Sequence, residues 1–192
     1  YIFKLLIEQI GSATILMPMI MIVVNHLLTN REKRVMLDKL NMVIGAFFSE
    51  LGTDLLKSLR DFDPHADRMA RELVVSDKWS PKQFAALRLR LKRHHYSIEA
   101  KRGDLESLRS LLVSERRFLL GLLENPTLLE HESFTALLWA VFHLADELTH
   151  RSDLSSLPDA DYAHLSGDIN RAYTLLICEW LTHMDHLRRA YP

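Results

Sequence analysis

The longest uninterrupted apolar stretch runs from Ile10 to Thr29, IGSATILMPMIMIVVNHLLT, without a single Asp, Glu, Lys or Arg. Its hydrophobic positions fall on every helical face rather than on one stripe, the pattern of a helix with nonpolar surroundings on all sides. Twenty residues at about 1.5 Å each reach about 30 Å, the thickness of a bilayer's hydrocarbon core. The stretch therefore predicts one transmembrane helix, with Asn25 and His26 near an interface that solvates them and Pro18 as a mid-helix kink.

Arg31, Lys33, Arg34 and Lys39 follow the stretch, whereas Lys4 and Glu8 nearly cancel before it. The positive-inside rule then puts everything downstream in the cytoplasm, at the inner face of a plasma membrane. A signal peptide would show the reverse order, a basic region ahead of a short apolar core and a small-residue cleavage site. A buried core helix fits poorly with all-round hydrophobicity in so small a domain. Residues 1–10 either extend the span or lie in the interface with Lys4 and Glu8 turned to water. The expected organisation is a membrane anchor over residues 1–30 and an all-helical domain over 31–192.

Downstream, the apolar positions take helical spacing and no segment alternates as a strand would. Leu40, Ile44, Phe47, Phe48, Leu51, Leu55 and Leu59 form one stripe to about Arg60, continuous with the apolar stretch. Gly45 and Gly52 suggest a close helix crossing on it. Asp63 and Pro64 read as the cap and first position of a short helix within 61–80. Ser80, Pro81 and Gln83 make a capping box for a helix running to about Arg102, with Gly103 as its C-terminal cap. Asp104 opens a helix ending near Glu124, before Asn125-Pro126. A helix over Ser133–Arg151 buries Phe134, Leu137, Val141, Leu144, Ala145 and Leu148. After a Ser/Asp/Pro loop, Asp159–Arg189 carries a near-heptad stripe of Tyr162, Leu165, Ile169, Tyr173, Leu176, Trp180, Met184 and Leu187. The fold class is all-α: a single N-terminal transmembrane helix, then a cytoplasmic up-down bundle of about five helices.

Charge sharpens this picture only locally. The net charge is −1, which gives no global signal for nucleic acid. Residues 81–102 hold seven basic side chains and one acidic, while 103–192 hold seven basic and fourteen acidic. Arg88, Arg90, Lys92, Arg93, Lys101 and Arg102 thus make a basic face, with His94 and His95 beside it. It either pairs with the acidic C-terminal third or meets anionic lipid headgroups.

Two groups have metal-ligand spacing. His143, Glu147 and His150 lie at i, i+4 and i+7 of one helix, and Glu179, His183 and His186 repeat that spacing on the last one. The first triple points away from its apolar stripe, so solvent is its default environment, whereas His183 lies beside its stripe. Asp61, Asp63, Asp67 and Glu72 match four positions of a calcium loop, but Ala66 stands where that loop needs glycine. Cys178 maps to the outward side of the last helix and cannot form an intramolecular disulfide, being the one cysteine. Trp139 maps to a polar face, a placement that suggests a partner.

The reading that follows is a membrane-anchored helical interaction or regulatory module, an accessory domain or subunit of a membrane complex. It binds lipid through its N-terminal helix and a protein partner or a second copy of itself through its body, with no nucleic acid. A metal-binding bundle enzyme or sensor and a peripheral anionic-lipid binder are the alternatives.

Overall fold

Six glycines and six prolines leave little to interrupt a helix, and helix covers most of the computed structural model. The structure describes residues 2–73, 79–93, 96–129 and 131–190, with the side chains of 2–18, 20, 23, 34, 69, 72, 92, 127 and 129 outside the description. The described chain is all-helical and contains no strand. It falls into two units, Tyr1–Leu40 and Asn41–Pro192.

In the first unit, the described residues lie within helix α1 (Ile2–Phe47), which Pro18 does not end. The Thr29 hydroxyl donates to the Asn25 carbonyl at 2.8 Å, a bond within the helix that satisfies this polar group. Met19, Met21, Ile22, Val24, Leu27 and Leu28 are all exposed. Among the described residues no helix is long and apolar enough to cross a membrane. The side chains of 10–18, 20 and 23, over half of the apolar stretch, lie outside those residues.

The second unit opens with the last turns of α1, whose Ile44 and Phe47 are buried. A π-helical turn, Phe48–Gly52, leads into α2 (Thr53–Arg60). At Gly52 a Cβ would come within 2.6 Å of the Phe48 ring and 2.8 Å of the Phe47 ring. This glycine therefore makes room for two rings of its own chain rather than for a crossing helix. Phe47 packs edge-on against Phe134 at 5.2 Å, joining this turn to the core.

The remaining helices are α3 (Ala66–Glu72), α4 (Pro81–Arg93), α5 (Leu105–Ser114), α6 (Arg116–Leu123), α7 (Pro126–Leu129), α8 (Glu132–Thr149) and α9 (Asp159–Ala190). Helices α8 and α9 form the centre: α5, α6 and α7 pack on α8, while α2 and α4 pack on α9. Leu137, Val141, Leu144 and Leu148 meet this centre from α8, and Leu165, Ile169, Leu176 and Leu181 from α9, all fully enclosed. Asp153 fixes the loop between them, accepting from the Ser155 amide and from the Ser155 and Ser156 hydroxyls. Those bonds, chiefly the hydroxyls, hold its carboxyl down at about 2.

Several expectations need correction. The helix expected to reach Arg102 runs Pro81–Arg93, and residues 96–99 lie outside any helix. Tyr96, Ile98 and Ala100 are buried there while Ser97, Glu99 and Lys101 are exposed, the period of two that an extended chain imposes. This segment is held by Glu99 N–H to Phe62 O at 2.9 Å and by Ala100 N–H to the Ser166 hydroxyl at 2.9 Å. Gly103 is consequently not a helix cap. A Cβ on it would meet the buried Phe62 ring at 2.6 Å, so only glycine fits beside that ring.

The helix expected over Asp104–Glu124 breaks at Glu115 into α5 and α6. There the Ser114 hydroxyl donates to the Leu111 carbonyl at 2.8 Å and competes with the helical ladder. Asp63 stands ahead of α3 in a turn, accepting from the His65 amide at 2.8 Å, rather than directly capping the helix. Cys178 is buried, not outward. Neighbours on several sides of α9 widen its buried face beyond one stripe, and Trp180, Met184 and Leu187 are only half-buried.

Candidate functional site

Residues four apart share a helical face, and the two central helices each present such a pair to the other. Helix α8 offers His143 and Glu147, and α9 offers His164 and Asp168. The chain reverses between them, so His143 meets Asp168 and Glu147 meets His164. Asp168 Oδ1 lies 3.6 Å from His143 Nε2, and Asp168 Oδ2 lies 3.3 Å from His164 Nε2. Glu147 Oε2 is 3.5 Å from His164 Nε2. Ligand atoms of His143, Glu147 and His164 all lie within 4.8 Å of one another.

The imidazoles are about half exposed, while Asp168 keeps only 14% of its side-chain surface. Its Oδ2 is sealed from solvent and lacks a well-formed hydrogen bond, the contact to His164 being an ion-pair contact only. Arg151 flanks the cluster, with Nη1 on Glu147 Oε2 at 2.8 Å and Nη2 on Asp161 Oδ1 at 3.3 Å. The hydrogen bond from Arg151 holds the Glu147 carboxyl below its ordinary range, and the pairing raises the guanidinium in turn. Glu147 is therefore a carboxylate at neutral pH. Two imidazoles and two carboxylates converging from two helices form a set of donors suited to a metal cation.

Residues 36–192 match the family described as "Uncharacterized protein MJ1433, C-terminal helical domain". The chain belongs to that family. Over all 192 residues it is also 42% identical to the uncharacterized protein MJ1433 of Methanocaldococcus jannaschii, covering 77% of that protein's length. No solved structure matches the chain. The MJ1433 helical domain takes in α2 through α9, and so the whole His143–Glu147–His164–Asp168 cluster.

The other residues singled out in this MJ1433-family sequence have different surroundings. His150 turns back on its own helix, its Nδ1 2.7 Å from the Asp146 carbonyl, and takes no part in the cluster. Glu147 is half-buried toward α9, and His143, about half exposed, reaches Asp168 of α9, because α9 lies along that edge of α8. Glu179 and His183 are buried and His186 is half-buried. His183 stacks on Phe48 with centroids 5.2 Å apart and planes 14° apart. Burial, and secondarily His186, pushes the His183 pKa down. Among the described residues, the potential ligands that gather in threes are His143, Glu147 and His164, not the Glu179 triple.

The basic residues do not share one helix face. Arg88 is half-buried, and Arg90 and Arg93 are exposed on α4; Lys101 and Arg102 follow the extended segment. Lys101 pairs with Asp159 at 2.6 Å and lies over the Tyr162 ring, joining the basic run to the acidic C-terminal third. The Lys92 side chain and residues His94 and His95 lie outside the described residues. Trp139 is outward, 57% exposed. Of the calcium-loop residues, Asp63 serves its turn and Asp67 pairs with Arg60 at 2.5 Å, while the Glu72 side chain lies outside the description.

Proposed function

We propose that this chain is a single-pass membrane protein whose residues 31–192 form a cytoplasmic helical interaction or regulatory module, an accessory part of a membrane complex. One observation carries the reading. The described apolar side chains between 19 and 28 are exposed on every face of α1, from 45% at Val24 to 69% at Ile22. At about 1.5–3 kcal/mol for each fully buried side chain, scaled to the roughly three-fifths of each that is exposed, leaving these six in water forgoes on the order of 5–10 kcal/mol. A bilayer removes that cost along the whole stretch at once. The exposed Arg31, Lys33 and Lys39 follow it on one side, and the MJ1433 helical domain begins only at residue 36. Trp139, a large aromatic left outward on α8, is the type of side chain that anchors protein interfaces.

Alkaline carbonate extraction of native membranes, with protease added to right-side-out and inverted vesicles, tests the anchor. The full chain is expected to stay in the pellet and to lose its body only in inverted vesicles. An Ile22→Lys/Leu27→Lys variant is expected in the supernatant. Release of the unaltered chain by carbonate ends the membrane reading. Capture in mild detergent tests the module: a stoichiometric protein, or a second copy, should co-purify and be lost with Trp139→Ala. A solitary chain in both cases defeats that part.

A further inference from the structure

We propose that His143, Glu147, His164 and Asp168 form a binding site for a first-row divalent transition metal, with zinc as the first candidate, that clamps α8 to α9. This inference is independent of the membrane reading.

The distances carry it. Zinc bonds of about 2.0–2.2 Å at tetrahedral angles put neighbouring donor atoms about 3.3–3.6 Å apart. The three contacts across the cluster are 3.3, 3.5 and 3.6 Å. They are longer than good N–H···O hydrogen bonds, which fall at about 2.7–3.2 Å, and are close to the spacing of neighbouring donors around one zinc, with Asp168 turning Oδ2 to His164 and Oδ1 to His143. All three use the Nε2 atoms, so one ring nitrogen of each imidazole faces a carboxylate oxygen across the gap a metal would fill. The second observation is Asp168 Oδ2, an acceptor removed from water that has no good hydrogen bond, aimed at His164 Nε2. A buried carboxylate oxygen left so is costly, and a cation between it and the imidazole supplies the missing partner.

The donor set selects the class of metal. Two imidazoles disfavour magnesium and calcium, which take oxygen ligands, and suit zinc and its neighbours. Arg151 shares Glu147 Oε2, the oxygen nearest His164, and also reaches Asp161, which orients the carboxylate as supporting partners do around metal ligands. Because each helix supplies one imidazole and one carboxylate, neither binds the ion alone, and binding couples their packing.

The test uses the full chain, purified in detergent with a histidine-free affinity tag, stripped with chelator and dialysed. Zinc is titrated calorimetrically, and cobalt(II) serves as an optical probe of geometry. One zinc per chain is expected, with a tetrahedral cobalt spectrum and no response to magnesium. His143→Ala/His164→Ala should weaken zinc by more than about 100-fold, since loss of merely supporting partners costs about 10–100-fold. Asp168→Asn, close in shape and safe for folding, should weaken it by at least about tenfold. His150→Ala, outside the cluster, should bind as the parent does. Absence of stoichiometric zinc overturns the proposal. So does undiminished binding by the double variant or by Asp168→Asn, or an equal loss in His150→Ala.

Discussion

Helix α9 carries two histidine–carboxylate pairs of identical spacing in opposite surroundings. His164 and Asp168 lie near its N-terminal end, where α8 brings a matching pair across. Glu179 and His183 lie about two to three turns from its C-terminal end, both buried, with Glu179 Oε2 and His183 Nδ1 lacking hydrogen-bond partners. Four-residue spacing fixes only which face two side chains share. Whether that face can hold an ion is decided by what the facing helix supplies. The outer pair meets two more ligands, whereas the inner histidine meets the flat face of Phe48.

The contrast is sharpest in stability. Phe48→Ala removes a buried ring from both His183 and Phe47 and should cost about 3–5 kcal/mol in denaturant unfolding; a loss under about 1 kcal/mol would mean that the inner pair is not held by this stack. Next is zinc itself, which at a hundred times its Kd should stabilise the parent by about 2.7 kcal/mol and His143→Ala/His164→Ala hardly at all. Equal stabilisation of both would place the ion elsewhere, with the inner pair the first suspect. Third, Glu179→Met exchanges a buried carboxylate, one oxygen of it unbonded, for an apolar side chain of similar length, and stability should hold or rise by about 1 kcal/mol. A marked fall would reveal a partner for Glu179 and close the gap between the two pairs.

The smallest effect is one of pH. Burial lowers the His183 pKa below its ordinary 6.5, so between those two values the unfolded chain binds more protons than the folded one. Stability is then full above about 6.5 and declines as the pH falls toward the folded value. Unfolding curves at several pH values should show this acid-side loss reduced in His183→Gln. An identical slope in the variant would assign the loss to other groups.

Much of this arrangement is legible in the residues themselves. Asp104 caps α5 by accepting from the Glu106 and Ser107 amides, and Ser80 and Gln83 exchange the two bonds of a capping box. The six positions that the apolar spacing of α8 names are all buried, and Leu138 and Ala140 are buried beside them. What escapes is whatever depends on a neighbour. Tyr96, Ile98 and Ala100 alternate with polar residues inside a basic run, and five residues of alternation carry little weight until Phe62 and Ser166 provide bonding partners. Cys178 reads as outward until α9 is seen to have neighbours on several sides. For the site, His143 and Glu147 are visible as a pair, but a sequence holds no register between helices. His164 and Asp168 could have been found by asking which other helix repeats a histidine followed four residues later by a carboxylate, the order that an antiparallel neighbour needs.

The π-helical turn at Phe48–Gly52 has a consequence for how this chain tolerates change in length. Such a turn holds one residue more than the α-helical ladder requires, and each helical residue accounts for about 100° of rotation. Ser49 and Glu50, both exposed, are the residues that could be lost without emptying the core. Losing either would heal the ladder and leave Ile44 and Phe47 on the side on which Leu51 and Leu55 are buried, because the wider turn already absorbs the rotation of its extra residue. The turn thus works as a phase spacer. It lets the apolar face before it and the apolar face after it address the same interior, and it makes a single-residue deletion there less damaging than one within the regular turns of α1 or α2, which would rotate one face by about 100° from the other.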